Sequence, residues 1–139
     1  MHTLDESRYI LVVDDDAAIC ELIAEILGEE GYEVTTTRDS ARALTMIEQR
    51  PPVLILLDLS IADQNADDLV AAIRRIPGRT ILIIVVSAQT NVGQRARKVG
   101  ADGFVPKPFD VPILVDTVQA VLSIRRRESL ARCGAPGSS

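Results

Sequence analysis

Residues 9–16 read YILVVDDD, Tyr9 to Asp16. Five apolar residues, with β-branching at Ile10, Val12 and Val13, stop abruptly at three carboxylates. The apolar run is too short for a buried helix and shows no polar alternation. It predicts a strand covered on both faces, and such strands belong to parallel sheets sandwiched between helices. The same form recurs downstream: Val53 to Leu57 (VLILL) stops at Asp58, and Ile81 to Val86 (ILIIVV) stops at Ser87.

Helical patterns fill the intervals. Ile19, Leu22, Ile23, Ile26 and Leu27 form one apolar stripe, which Gly31 closes. Glu33 to Thr37 is a strand with polar alternation, expected near a sheet edge. Ser40 is positioned to cap a helix to Gln49, with Ala43, Leu44 and Ile47 inward, ended by Pro51 and Pro52. A helix from about Ala66 to Ile76 presents Leu69, Val70 and Ile73 and breaks at Pro77-Gly78. A basic helix from about Val92 to Val99 ends at Gly100. Gly103 to Val105 is a short fifth strand. Asp110 opens a last helix running to about Arg127, with Pro112 in its first turn, where a missing N–H does no harm. Five strands thus alternate with five helices, and right-handed crossovers make the sheet parallel. On this count alone, flavodoxin-like and Rossmann-like strand orders both fit.

A chain of 139 residues fits one domain, and at 47% hydrophobic it can bury a core. With 3% aromatic residues and no Trp, that core must be built from Val, Ile, Leu and Ala. We expect residues 1–8 to be a flexible N-terminus, 9–127 the folded domain and 128–139 a flexible tail. The net charge is −5; residues 125–139 hold four arginines and one glutamate, a sum of +3, which leaves −8 on residues 1–124. So acidic a body repels nucleic-acid phosphates and attracts cations. Cys20 and Cys133 fit no metal spacing, and the N-terminus carries no signal-peptide pattern, so a cytoplasmic protein is expected. No apolar run approaches the ~20 residues that span a bilayer.

In an open parallel sheet, sites form outside the carboxyl ends of the strands. The residues just past each strand are therefore informative. They are Asp14 and Asp15, then Thr37 and Arg38, then Asp58, Ser87 and Lys107. In a 2-1-3-4-5 order the first and third strands adjoin, so three carboxylates converge with Ser87 and Lys107 beside them. Each residue alone has an ordinary explanation: a helix cap, a turn, a local cap, a solvated loop charge. Those explanations do not predict that all of them fall on one rim. Carboxylates gathered this way must take up protons or hold a cation, and hard oxygen ligands suit Mg²⁺. With a hydroxyl and an ammonium added, the set resembles a phosphoryl-transfer site in which one Asp is the nucleophile.

Four motifs, YILVVDDD at 9–16, VLILLDLS at 53–60, ILIIVVSA at 81–88 and GADGFVPKPF at 100–109, together resemble the receiver domains of two-component response regulators. The likeness covers about residues 8–124. It implies a flavodoxin-like (βα)5 three-layer α/β sandwich with a parallel sheet of order 2-1-3-4-5. By this resemblance Asp14 and Asp15 hold Mg²⁺, Asp58 accepts the phosphoryl group and touches the metal, and Ser60 ligates through its backbone carbonyl. Ser87 matches the switch hydroxyl, Lys107 the family's lysine and Phe104 the switch aromatic, and Lys107–Pro108 resembles the family's cis peptide. The chain departs from the pattern at Ala62, Asp63, Gln64, Asn65 and Ala66, where the family usually has Pro, Gly, any residue, Asp and Gly; the departure bears on the loop beside the metal.

The resemblance implies a histidine kinase or phosphotransfer protein as donor, and a downstream protein or output domain as recipient. The apolar surplus on the last helix suggests a homodimer face. Direct nucleic-acid or membrane binding is not expected, nor is an enzyme acting on other substrates. A nucleotide-binding alternative needs a Gly- or Ser/Thr-rich loop where Asp14–Asp16 stand. A phosphatase forming an aspartyl phosphate needs a substrate cap that no segment here is long enough to supply. A degenerate receiver serving only as an interaction module remains as the alternative, motivated by the 62–66 loop. The starting Met and short tail fit a stand-alone receiver, while RRRESLAR fits the start of a linker helix in a longer protein.

Overall fold

A computed structural model describes residues 9–59, 66–76, 81–88 and 91–138, with side chains described at 9–59, 68–76, 81–88 and 91–124. The elements run β1 (Ile10–Val13), α1 (Ala17–Glu29), β2 (Val34–Thr37), α2 (Ser40–Gln49), β3 (Leu54–Asp58), α3 (Ala66–Arg74), β4 (Leu82–Ser87), α4 (Val92–Val99), β5 (Gly103–Pro106) and α5 (Val111–Ser138). All pairings are parallel, in the order β2-β1-β3-β4-β5. This decides between the two strand orders that the element count left open.

Every residue of β1, β3 and β4 is buried. Their alternating side chains feed two separate half-cores. Leu11, Val13, Ile55, Leu57, Ile83 and Val85 pack with Ala43 and Ile47 of α2, Leu69, Val70 and Ile73 of α3, and Val92 and Ala96 of α4. Ile10, Val12, Leu54, Leu56, Ile84 and Val86 pack with Cys20, Ile23 and Leu27 of α1 and Leu114, Val118 and Val121 of α5. Helices thus cover both faces, which is why these strands read as continuous apolar runs. The polar-alternating β2 lies at an edge, as expected.

Several boundaries differ from the sequence reading. Asp39, not Ser40, caps α2: it has extended backbone, and its carboxylate accepts from the Ala41 N–H at 3.1 Å, while Ser40 is buried in the first turn. Helix α3 ends at Arg74 and tightens into i→i−3 bonds from Arg75 to Ala72 and Ile76 to Ile73. Helix α5 continues to Ser138, past about Arg127. Good helix formers from Arg125 to Ala131 favour the continuation; nothing in the structure explains helical backbone at Gly134, Pro136 and Gly137. Gly31 (φ 96°) and Gly100 (φ 80°) adopt the left-handed conformation beyond α1 and α4, where a side chain would be strained. Among the described residues no helix is long and apolar enough to cross a membrane.

Candidate functional site

The carboxyl ends of β1 and β3 lie side by side because these strands are neighbours, with Val13 in register with Leu57. Asp14 and Asp58 are therefore the first polar groups beyond adjacent buried runs. Both are almost fully buried, at 2% and 3% exposure, whereas Asp15 is exposed. Carboxylate oxygens of Asp14, Asp15 and Asp58 lie within 4.8 Å of one another.

The three consecutive aspartates divide their tasks. Asp16 caps α1, accepting from the N–H groups of Ala18 at 2.9 Å and Ile19 at 3.3 Å. Asp14 Oδ1 accepts from the Asp16 N–H at 2.9 Å, which orients its carboxylate. Its Oδ2 accepts from Lys107 Nζ at 2.9 Å, and the same ammonium lies 3.6 Å from Asp58 Oδ2. Lys107 reaches the pocket because β5 ends beside β4: its N–H donates to the Ser87 carbonyl at 2.8 Å, and the Lys107–Pro108 peptide is cis.

Burial is the main reason that the Asp14 carboxyl is pushed above its ordinary value; the Lys107 and Asp16 hydrogen bonds pull against it, and the Asp58 charge adds to it. Burial alone would lower the Lys107 ammonium, but its hydrogen bonds and charge interactions with Asp14 and Asp58 outweigh that and raise it. Three carboxylates against one ammonium leave a formal charge of −2 at the rim. Two buried oxygen donors and one exposed donor fit a hard divalent cation that keeps several waters.

The structure thus brings Asp14, Asp15, Asp58 and Lys107 together. Ser87, fully buried, ends β4 one residue beyond Val86, the register partner of Asp58. Phe104 lies on β5 and is 46% exposed. Ser60 and residues 61–65 lie outside the described residues. The sequence reading named Arg38 just past the second strand but gave it no role; its Nε donates to the Asp15 carbonyl at 3.2 Å. Its position was legible, since it follows the strand paired with β1, but an arginine beside carboxylates has no specific signature.

Fold and rim together define a small doubly wound α/β domain that presents an acidic pocket, held by a lysine, at its topological switch point. The chain belongs to the response regulator receiver domain family, which its residues 10–119 match. It is 34% identical over 113 residues to the DNA-binding response regulator MtrA of Mycobacterium tuberculosis, covering 81% of this chain and 50% of that protein. It is 35% identical over 116 residues to the DNA-binding transcriptional regulator NtrC of Azospirillum brasilense, covering 82% of this chain and 24% of that one. The chemotaxis protein CheY4 of Vibrio cholerae superposes with a TM-score of 0.75 at 27% identity, covering 82% of this chain and 98% of that one. The chain spans about half the length of the MtrA relatives it matches.

Proposed function

We propose that this receiver takes a phosphoryl group on Asp58 from a phosphohistidine of a histidine kinase or phosphotransfer protein, with Mg²⁺ held by Asp14, Asp15, Asp58 and the Ser60 carbonyl. The observation that carries the reading is the convergence of three carboxylate oxygens within 4.8 Å under one ammonium. The cation would neutralise charge on the transferring group. An Asp58 oxygen attacks phosphorus, the bond from phosphorus to the donor imidazole breaks, and the electron pair leaves with the ring nitrogen. Lys107 moves from Asp58 toward the new phosphoryl oxygens. Ser87 donates to the phosphoryl group, and Phe104 follows, which changes the surface formed by α4, β5 and α5.

The receiver core is residues 9–127, flanked by 1–8 and 128–139, and it works in the cytoplasm. Output passes to a partner protein or output domain, or to a second copy through α5, where Val111, Ile113 and Ile124 are exposed. The acidic body disfavours direct binding to nucleic acid.

Mass spectrometry after incubation with acetyl phosphate and Mg²⁺ tests the reading. One base-labile phosphoryl group is expected on the peptide containing Asp58, and none in Asp58→Asn. A modified peptide that excludes Asp58 refutes the assignment. No incorporation at all favours the interaction-module alternative raised by the altered 62–66 loop.

A further inference from the structure

Gly93 occupies the second position of α4 and calls for an explanation. Glycine in a helix is entropically disfavoured relative to alanine. The backbone does not demand it, because among the described residues only Gly31 and Gly100 have positive φ. The reason is on its surface. A Cβ built at Gly93 would lie 3.4 Å from Phe104 Cζ, 3.6 Å from Cε1 and 3.7 Å from Cε2. The tip of the ring therefore rests on the bare helix backbone.

That ring is an exposed aromatic on an edge strand. The register pairs Val85 with Phe104 and Ser87 with Pro106. By strand alternation Phe104 and Ser87 share the sheet face that α4 covers, diagonal to each other. Phe104 thus links the end of β4 at the acidic rim to the start of α4.

We propose that Gly93 is a steric seat that sets the resting, outward position of Phe104, so that the side chain at position 93 fixes the threshold of the switch. The inference rests on the phosphoryl-switch reading above and adds the element that biases it. The ring has an outward state and a displaced state, and phosphorylation need only shift their populations. A methyl group at 3.4–3.7 Å is ordinary contact, so Gly93→Ala keeps the seat. Valine adds two γ-methyls about 1.5 Å beyond Cβ, and a helix restricts them to essentially one rotamer. Gly93→Val therefore evicts the ring.

The test uses 4-fluorophenylalanine and fluorine NMR on the full chain, which contains only Phe104 and Phe109. Phe104→Leu assigns the two resonances. Beryllofluoride with Mg²⁺ is expected to move the Phe104 resonance in the wild type. Gly93→Ala should stay at the resting position, while Gly93→Val should sit near the beryllofluoride position without the ligand and bind beryllofluoride several-fold tighter. A wild-type resonance indifferent to beryllofluoride refutes the switch reading itself. A wild type that responds beside a Gly93→Val that remains at the resting position, or that moves without tighter binding, overturns the seat alone. If Gly93→Val is too unstable for NMR, urea unfolding of Gly93→Val, Phe104→Ala and the double variant decides the matter. Removing the ring should relieve most of the valine cost, and additive costs overturn the proposal.

Discussion

Replacing Asp58 by asparagine should stabilise this protein in the absence of Mg²⁺. The Asp58 carboxylate is 3% exposed, within 4.8 Å of the Asp14 and Asp15 oxygens and 3.6 Å from Lys107 Nζ. At an effective dielectric of about 20, repulsion from Asp14, whose oxygen lies within 4.8 Å, is at least roughly 3.5 kcal/mol, and attraction to Lys107 at 3.6 Å is roughly 4.6 kcal/mol. The exposed Asp15, more strongly screened, adds a further repulsion of about 1.7 kcal/mol at a dielectric of about 40. The charge interactions with these three groups nearly cancel, so the desolvation of the buried ion, several kcal/mol in real proteins, weighs against the carboxylate. An amide still loses some hydration, at a cost of about 1–3 kcal/mol. The net gain expected for Asp58→Asn is about 1–2 kcal/mol, or roughly 4–8 °C in Tm for a domain of this size. Cation binding should erase it. Mg²⁺ at a hundred times its Kd adds about 2.7 kcal/mol to the wild type, whereas a variant that binds tenfold more weakly gains only about 1.4 kcal/mol. The assay is thermal or urea unfolding followed by circular dichroism, in EDTA and in Mg²⁺, because the chain has no Trp. An Asn variant less stable than wild type in EDTA, or a stability gap that Mg²⁺ leaves unchanged, refutes this electrostatic account.

Lys107→Arg should keep the charge but lose the compact ammonium that sits 2.9 Å from Asp14 and 3.6 Å from Asp58. Phosphate incorporation is expected to persist while the Phe104 response disappears, and an intact response would show that charge alone suffices. A pH effect is expected far from the rim, where the Arg50 guanidinium binds Glu33 at 3.0 and 3.2 Å and holds its carboxyl below the usual value of 4.5. A lowered carboxyl stabilises the fold above its unfolded value and stops doing so as the pH falls through its folded value. The pair is exposed, so the contribution is about 0.2–1 kcal/mol. Arg50→Met should therefore lose less stability than wild type as the pH falls below 4.5 in urea unfolding, and equal slopes would argue against the pairing.

How far the sequence spoke depended on which forces were local. The strands were legible because double-sided burial leaves uninterrupted apolar runs, and α4 was legible to the residue because Gly100 closes it. The rim was legible because the residue after each strand can be read without any side-chain packing. Other features were not local. The choice of Asp39 over Ser40 as a cap depends on one backbone conformation, and both residue types cap well. The strand order did not follow from the element count; it came from family resemblance until the register of β1 with both β2 and β3 settled it. Gly93 looked like an unremarked residue in a helix, since its meaning lies in a ring eleven positions away in sequence.

The sheet also constrains where a signal raised at the rim can travel. Asp14 and Asp58 terminate β1 and β3, whose side chains are packed on both faces, and close-packed interiors do not deform by small steps. A rearrangement passing through these strands would have to disturb both half-cores at once. On the β2 side, the backbone of β1 is tied along its whole length to Val34–Thr37. On the other side, β4 carries Ser87 to the same rim, and beyond it lies β5, an edge strand with only Val105 buried. Phe104, half exposed and resting on a glycine, is the least constrained large side chain along that direction. On the proposed reading, a phosphoryl group on Asp58 would do its mechanical work most cheaply through Ser87 to Phe104 and α4, because that route ends at an edge strand with only Val105 buried.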